Sequence, residues 1–222
     1  MNAEARQRWR VVFRRDAAAS QLGGRDLQAA VEANLAASGL PIAGRTQMAA
    51  GLPSGLAAER ELLDVILTER WPVARARPAL GEALPDGHEL VDCHDVWLGE
   101  PALAAQARSA DYRIVLDAEE SAARLRAAAA ALMSSNHIQR TRLKGDRTVE
   151  YDLRPLLEAI DIEDDGPPVV LRVRVRIDQE RGPGRPDEVV AALGNAGSER
   201  LGIATLTRLC ISIASDNARP RD

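Results

Sequence analysis

The sequence predicts an α+β fold made of two ferredoxin-like (βαββαβ) halves, each with an antiparallel sheet that helices cover on one face. The first observation is the order of hydrophobic patterns, which reads strand, helix, strand, strand, helix, strand and then occurs again. The second is size, because 222 residues with 45% hydrophobic side chains can bury a full core. We therefore predict halves at 6–100 and 110–215 and a flexible tail at 216–222.

The first half begins with a strand whose side chains largely alternate between basic and apolar up to Phe13. A helix follows, with apolar residues at helical spacing and Gly39 as its stop signal. The stretch 43–58 is rich in glycine and alanine and favours a poor strand at best. Pro78 is expected to kink or delay the second helix. The predicted elements are strands at 8–14, 61–67 and 88–98 and helices at 26–38 and 72–84.

The second half follows an alanine-rich connector at 101–110 that favours a helix. Residues 137–143 and 148–153 predict a hairpin that turns at 144–146. Pro186 stands at the first position of the last helix and Gly194 at its end. The other predicted elements are strands at 111–117, 169–177 and 206–213 and helices at 118–134, 155–160 and 186–193.

The composition argues against several classes of protein. A net charge of −4 disfavours a generally basic nucleic-acid binder, although it allows a local basic patch. The sequence has no run of 18 apolar residues and no apolar core behind its N-terminal charges, so we expect neither a membrane span nor a secretory signal. Two cysteines, Cys93 and Cys210, make no disulfide framework and cannot alone ligate an iron–sulfur cluster. We expect a cytoplasmic protein that binds no cofactor itself.

The aromatic residues are few. Only 3% of the chain is aromatic, which is too little for a core and also a wide stacking platform for single-stranded nucleic acid. We expect most of these side chains to face the core from strands. They are Trp9, Phe13, Trp97, Tyr112 and Tyr151.

The basic side chains are placed in register on three predicted strands, so that those of each strand share one face. If the strands are neighbours, the open face of the sheet is a cationic surface suited to RNA phosphate or a nucleotide. The alternative is a solvated face that Glu150, Asp152 and Asp178 neutralise. Lys144 is the only lysine among 29 basic residues, which we attribute to a GC-rich genome. The candidate anion-binding residues are Arg8, Arg10, Arg14, Arg140, Arg142, Lys144, Arg172, Arg174 and Arg176.

Asp26 is the candidate catalytic residue. It follows Gly23-Gly24-Arg25 and opens a predicted helix. A nucleophilic or basic aspartate needs a basic partner and a cleft. The alternative is a helix N-cap, which accepts backbone N–H bonds and contributes about 1 kcal/mol. Because such caps are common, we favour the cap.

His88, Cys93, His94 and Asp95 have the residue types of a metal or thiol cluster. On a strand, however, Cys93 and His94 point to opposite faces. A zinc site would also need a second pair of ligands at matching spacing. We therefore predict a buried thiol beside a polar strand end, and no metal site.

Several short motifs also occur in a fixed order along most of the chain. The chain resembles the radical-SAM-linked proteins, a conserved domain of unknown function that is fused to, or encoded beside, a cobalamin-binding radical-SAM protein. That family typically carries Ser-His-Leu-Asp before its first helix, of which only Asp26 remains here, and a Gly-Phe-Asn-Pro-His-Pro loop that is absent after Pro41. The matching motifs are Arg10-Val11-Val12-Phe13, Leu27 with the helix to Gly39-Leu40-Pro41, Gly51-Leu52-Pro53-Ser54-Gly55, Leu63-Asp64-Val65-Ile66-Leu67, Leu84-Pro85-Asp86-Gly87, Asp111-Tyr112-Arg113-Ile114, Asp152-Leu153-Arg154-Pro155, Arg185-Pro186-Asp187-Glu188-Val189 and Arg208-Leu209.

The resemblance implies an accessory, substrate-presenting bacterial protein that works in RNA or ribosome-related modification. Its partner would be a radical-SAM protein encoded nearby, which would carry the iron–sulfur cluster, S-adenosylmethionine and cobalamin. One alternative is an RNA-modifying enzyme of pseudouridine-synthase type with Asp26 as nucleophile, because those enzymes also have two ferredoxin-like halves. The other is a plain RNA-binding module. Since the sequence holds no complete catalytic constellation, it leaves open whether the protein is an enzyme.

Overall fold

The computed structural model describes residues 4–19, 21–117, 121–144, 147–197 and 201–214. The chain divides into two compact units, residues 1–107 with 210–222 and residues 108–209. The sequence prediction placed the last strand wholly in the second half, whereas its final residues belong to the first unit. The predicted tail at 216–222 lies outside the described residues. None of the described helices is long and apolar enough to cross a membrane.

The first unit has the predicted order of strands and helices. Strand β1 is central and pairs antiparallel with β3 and β4, and the short β2 pairs with β3. Only two residues of the stretch 43–58 form β2, as its glycine-rich composition predicted, although β3 begins at residue 57. The elements are β1 (Gln7–Arg15), α1 (Gly24–Ala37), β2 (Gln47–Met48), β3 (Ala57–Leu67), α2 (Val73–Glu82) and β4 (His88–Val96), followed by the one-turn helix α3 (Leu103–Gln106).

The two faces of this sheet differ in polarity because side chains alternate along β1. Trp9, Val11 and Phe13 share one face and are buried. Helix α1 contributes a buried stripe at four-residue spacing, Leu27, Val31 and Leu35, and α2 packs against β4. Gly39, with a φ of +71°, lies just past the end of α1, the conformation that favours glycine there. The other face of β1 carries Arg8, Arg10 and Val12.

The second unit is built around β9. This strand pairs antiparallel with β5, β8 and β10, and β11 lies next to β5. The predicted hairpin forms a separate two-stranded sheet, and α4 packs against α5 and β8. The elements are β5 (Ala107–Leu116), α4 (Ala122–Ser134), β6 (Gln139–Lys144), β7 (Arg147–Asp152), β8 (Leu157–Asp164), β9 (Val170–Asp178), β10 (Gly182–Pro183), α5 (Pro186–Gly197) and β11 (Ile203–Ile213).

Two predicted helices are shorter than expected and give way to strands. The helix expected at 155–160 is one short 3-10 turn, Arg154–Leu156, which leads directly into β8. Apolar and acidic side chains alternate between Ile160 and Glu163, and pairing with β9 satisfies the backbone of this segment. The helix expected at 101–110 is limited to α3, because residues from Ala107 onward enter β5 and pair with β9. In both cases strand pairing overrides local helix propensity.

The end of β1 is tied to the loop before β3 by a buried arginine. Arg15 is 2% exposed, and its guanidinium donates hydrogen bonds to the carbonyl oxygens of Leu22, Pro53 and Leu56. In the same loop Leu52 accepts the backbone N–H of Gly24 at 2.7 Å, which holds the start of α1 in place. The backbone therefore comes so close to Gly23 that a Cβ there would lie 2.4 Å from the Ser54 nitrogen.

Replacing Gly23 with alanine should lower the free energy of unfolding by about 1–3 kcal/mol, because a methyl group must displace backbone atoms at Ser54. Urea denaturation measures the loss. The matched control is Gly51→Ala in the same loop region, where an added Cβ meets no atom within 4 Å. Equal stability of Gly23→Ala and Gly51→Ala would show that the close approach at Gly23 is not a constraint.

Candidate anion-binding surfaces

Arg8 and Arg10 on β1 share a single carboxylate. The register places Arg10 opposite Asp64 of β3, and the Nε of Arg10 donates to Asp64 Oδ1 at 2.9 Å. The Nε of Arg8 donates to Asp64 Oδ2 at 2.7 Å. Both guanidiniums are buried, at 4% and 3% exposure, and Asp64 is fully buried. This part of the predicted cationic face is therefore an internal ion cluster and not a solvated surface.

The ion cluster extends beyond Asp64. Arg8 also donates to the carbonyl oxygens of Glu100 and Pro101 at 2.9 and 3.0 Å, which are neutral acceptors. Arg10 Nη2 lies 3.5 Å from the carboxylate of Glu100, which is the second acidic group near the pair. Arg14, the third member of this predicted ladder, is half-exposed and pairs with Glu89 at 2.6 Å.

A groove of about 440 Å³ lies on the same face of the first unit. Arg10 and Val12 of β1 line it together with neighbouring residues of β3 and β4, and residues 210–213 of β11 also contribute. Its charged and polar lining includes Arg10, Arg60, Asp92, His94, Glu100 and Cys210.

The second unit presents four arginines on one face of its sheet, which we call the arginine face: Arg113, Arg172, Arg174 and Arg176. Pairing of β5 with β9 places Arg113 opposite Arg172 and Asp111 opposite Arg174. Asp111 is buried and accepts from Arg174 at 3.1 Å, with Arg172 3.7 Å away. The side chains of Arg172, Arg174 and Arg176 are 44%, 38% and 54% exposed, so this predicted ladder reaches solvent.

The arginine face keeps hydrogen-bond donors available. Arg176 meets Glu158 through Nε at 3.1 Å, and Arg113 meets Glu163 through Nε at 2.9 Å. The Nη groups of Arg172 and Arg176 donate no hydrogen bond to any residue within the described ranges. Since a guanidinium carries five N–H donors, each of these two side chains has most of its donors directed to solvent.

The hairpin ladder contributes little to such a surface. Arg140 donates to Glu188 of α5 at 2.8 Å, and both side chains are only 16% exposed. The side chains of Arg142 and Lys144 lie outside what the structure describes, so their predicted role stays a prediction.

Asp26 is neither the N-cap nor part of an enclosed site. Gly23 occupies the N-cap position, and Asp26 lies within the first turn of α1, where its carboxylate interacts favourably with the helix dipole. The side chain is exposed and makes no hydrogen bond or ion pair with a described residue. The N-cap interpretation was wrong by three positions, because the glycine pair lets the helix begin before the aspartate.

The residues considered as a metal or thiol cluster are divided between the faces of β4. Val11 stands opposite Cys93 and Arg10 opposite His94, so the two side chains point to opposite sides. Cys93 is buried, and burial raises the pKa of its thiol. Among the described residues no three His, Cys, Asp or Glu side chains come together as a metal site would require.

His88 should make the protein less stable in acid. Burial lowers the pKa of His88 below its ordinary value of 6.5, and its Nε2 has no hydrogen-bond partner in the described part of the chain. The unfolded chain takes up the proton first, so the stability that this neutral imidazole contributes is present above about pH 6.5 and lost as pH falls below it. We expect the free energy of unfolding to fall more steeply between about pH 7.5 and 5.5 in the wild type than in His88→Gln. If urea denaturation gives the same dependence of unfolding free energy on pH for the wild type and His88→Gln, the prediction is wrong.

The family model described as uncharacterized protein conserved in bacteria (DUF2344) matches residues 8–185. The chain belongs to this family. No functionally curated protein matches this DUF2344 sequence. The family description assigns no activity and no partner, so any function has to be argued from the residues themselves.

Three solved structures resemble the DUF2344 chain over 90% of its length. They are a Cbf5–Nop10–Gar1 complex at 11% identity and a TM-score of 0.48, an archaeal box H/ACA Nop10–Cbf5 complex at 14% and 0.43, and an H/ACA ribonucleoprotein bound to a substrate RNA at 13% and 0.43. The chain spans about half the length of the chains it matches, 46–47%. At such identities and TM-scores these likenesses carry no argument about what this chain binds.

Sequence patterns missed the two aspartates that organise the arginines. Asp64 stands in the apolar run 62–66, and Asp111 precedes the apolar residues of β5. A carboxylate inside an otherwise apolar strand is the available signal, because a buried charge requires a partner.

Proposed function

We propose that this protein is a non-catalytic, substrate-presenting partner of a cobalamin-binding radical-SAM enzyme in RNA or ribosome-related modification, and that its arginine face binds RNA. The RNA-binding part of the proposal rests on Arg172 and Arg176, which are half-exposed and whose Nη groups donate no hydrogen bond to a described residue. The partner class comes from the motifs shared with the radical-SAM-linked proteins.

The chemistry of the arginine face suits phosphate. A guanidinium binds phosphate oxygens through two parallel N–H bonds, and the Nη groups are the donors still available here. Asp161 stands opposite Arg172 on β8, so a bound phosphate competes with nearby carboxylates. We therefore expect sequence-independent binding that weakens as salt is added.

The position of Asp26 supports a presenting role over pseudouridine-synthase chemistry. A nucleophilic aspartate requires an enclosed site and a basic partner that activates it. Asp26 is exposed on the first turn of α1 and has no such partner among the described residues. RNA binding should accordingly be unchanged in Asp26→Asn.

We also propose that the two units are ferredoxin-like halves related by duplication. In the first unit β1 lies between β3 and β4, and in the second β5 lies between β9 and β11. The hairpin β6–β7 is then an insertion in the second half.

Removing the guanidiniums of Arg172 and Arg176 should weaken RNA binding. The double variant Arg172→Gln/Arg176→Gln is expected to lower affinity for single-stranded RNA by about tenfold or more, because two phosphate contacts are lost. Fluorescence anisotropy with a labelled oligonucleotide measures the change. Arg185→Gln removes an arginine whose guanidinium already binds Asp187 through two nitrogens, and it should leave affinity unchanged. Equal affinities of the wild type and the double variant would remove the arginine face from the proposal.

The partner requires a separate experiment. The full chain should co-purify from its native host with the radical-SAM protein encoded nearby, identified by mass spectrometry. Repeated purification without that protein, under conditions that preserve the iron–sulfur cluster, would contradict the accessory role while leaving RNA binding untouched.

A further inference from the structure

Trp97 faces solvent although we expected it in the core. Strand β4 ends at Val96, and Trp97 begins a turn in which the N–H of Glu100 donates to its carbonyl oxygen at 3.0 Å. The side chain is 75% exposed. A Cβ at Gly99 would lie 2.5 Å from the indole ring, so the ring packs directly on the Gly99 backbone. The turn therefore holds the indole in place and leaves most of its surface to solvent.

This turn forms one rim of the groove in the first unit. Val96 and Glu100, the residues on either side of the turn tip, both line the groove. Its volume of about 440 Å³ lies in the range of small-molecule sites, roughly 300–1,000 Å³. Val12, Leu62 and Val96 supply an apolar strip, and Arg10 supplies a buried guanidinium.

The groove side chains that have no partner among the described residues favour an anion. Asp92 pairs with Arg77 at 3.2 Å, and the Glu100 carboxylate lies 3.5 Å from both Arg10 and Gln106 nitrogens. The side chains of Arg60 and His94, by contrast, make no ion pair or hydrogen bond with any residue that the structure describes. The groove thus offers donors for a phosphate beside an exposed aromatic ring.

We propose that this groove binds one nucleoside phosphate. The base stacks on Trp97, the apolar strip contacts the sugar, and the phosphate binds Arg60 and His94 above the buried Arg10. Where the nucleotide is one residue of an RNA strand, the inference rests on the proposed function. A free mononucleotide has the same chemistry, and the experiment separates the two sources.

Isothermal titration of the full chain with UMP and with a ten-residue oligouridylate tests the inference. Arg60→Gln and Trp97→Ala should each weaken binding by about tenfold, since a stacked base is worth on the order of 1–3 kcal/mol. Trp97→Phe should retain most of the affinity, which separates stacking from a structural role. Arg70→Gln, an exposed arginine of the same unit outside the groove, is the matched control. Quenching of tryptophan fluorescence gives a second readout, because Trp9 and Trp71 are buried.

The outcomes distinguish this inference from the proposed function. If the protein binds both ligands, or the oligonucleotide alone, and the groove variants weaken that binding, the site is assigned to RNA. Binding of UMP alone, weakened in the same way, assigns it to a free nucleotide. Binding of neither ligand, or affinities that Arg60→Gln and Trp97→Ala leave unchanged, overturns the inference. The arginine-face double variant tests the other unit, so either proposal can fail alone.

Discussion

Replacing Asp64 with alanine is expected to lower the free energy of unfolding by about 3–5 kcal/mol. The substitution leaves Arg8 and Arg10 buried at 4% and 3% exposure without the carboxylate that both contact. Neither guanidinium can give up its charge, so each must remain buried without its nearest carboxylate or move toward water together with its strand. Urea denaturation monitored by circular dichroism measures the loss.

The second unit provides the control for this prediction. Asp111→Ala also removes a buried carboxylate shared by two arginines, but Arg172 and Arg174 are 44% and 38% exposed. Water can solvate these guanidiniums, so we expect a smaller loss, about 1–2 kcal/mol. Losses of equal size in the two variants would show that burial of the arginines does not set the cost.

Replacing Arg15 with leucine is expected to cost about 3 kcal/mol or more, because three carbonyl oxygens lose their charged donor at once. The carbonyls belong to Leu22, Pro53 and Leu56, and the first two flank the start of α1. Leucine matches the apolar part of the side chain, so the loss reports the hydrogen bonds more than the volume. Denaturation gives the total, and limited proteolysis at residues 51–56 tests whether the loop is released.

Two variants make this result specific. Arg15→Lys keeps the charge but cannot reach three acceptors with a planar fork, so it should recover little of the stability. Arg14→Leu, at a neighbouring half-exposed arginine, should cost less than about 1 kcal/mol. Full recovery in Arg15→Lys would mean that charge alone, and not the geometry of the guanidinium, holds the loop.

Alternation along β1 and β9 predicted which arginines share a face, and the structure agrees. It could not predict what lies opposite, because strand neighbours and register depend on the whole fold. Asp64 is 54 residues from Arg10 in sequence, yet pairing places them side by side. The same alternation therefore gives a buried ion cluster in the first unit and a partly exposed surface in the second.

The expected neutralising residues show the same limit. Asp178 was expected to neutralise the arginines of β9, but its hydrogen bonds come from the backbone N–H groups of Arg181 and Glu180, which lower its pKa, and Arg176 contributes only a weaker attraction. The carboxylates that meet the arginine face come from neighbouring strands, at Asp111 and Glu158. Local hydrogen bonds of an aspartate with its own turn thus prevailed over a longer-range pairing.

Trp97 shows why the groove was not predicted from composition. An aromatic residue at the end of an alternating strand is typical of a core position, and the sequence places Trp97 in that pattern. The strand ends at Val96, two residues before its predicted end, and the turn at Gly99 gives the ring a backbone surface to pack on. A count of aromatic residues cannot detect a single exposed ring.

The salt dependence of RNA binding tests the central claim most directly. We expect the affinity of the wild type for single-stranded RNA to fall as salt rises from about 50 to 200 mM. In Arg172→Gln/Arg176→Gln the slope of log K against log salt should be shallower by about 1.4, because each lost phosphate contact on a single strand reduces the slope by about 0.7. Arg185→Gln should show the same salt-dependence slope as the wild type. An affinity that salt does not change, or an equal slope in the double variant, would contradict an RNA-binding arginine face.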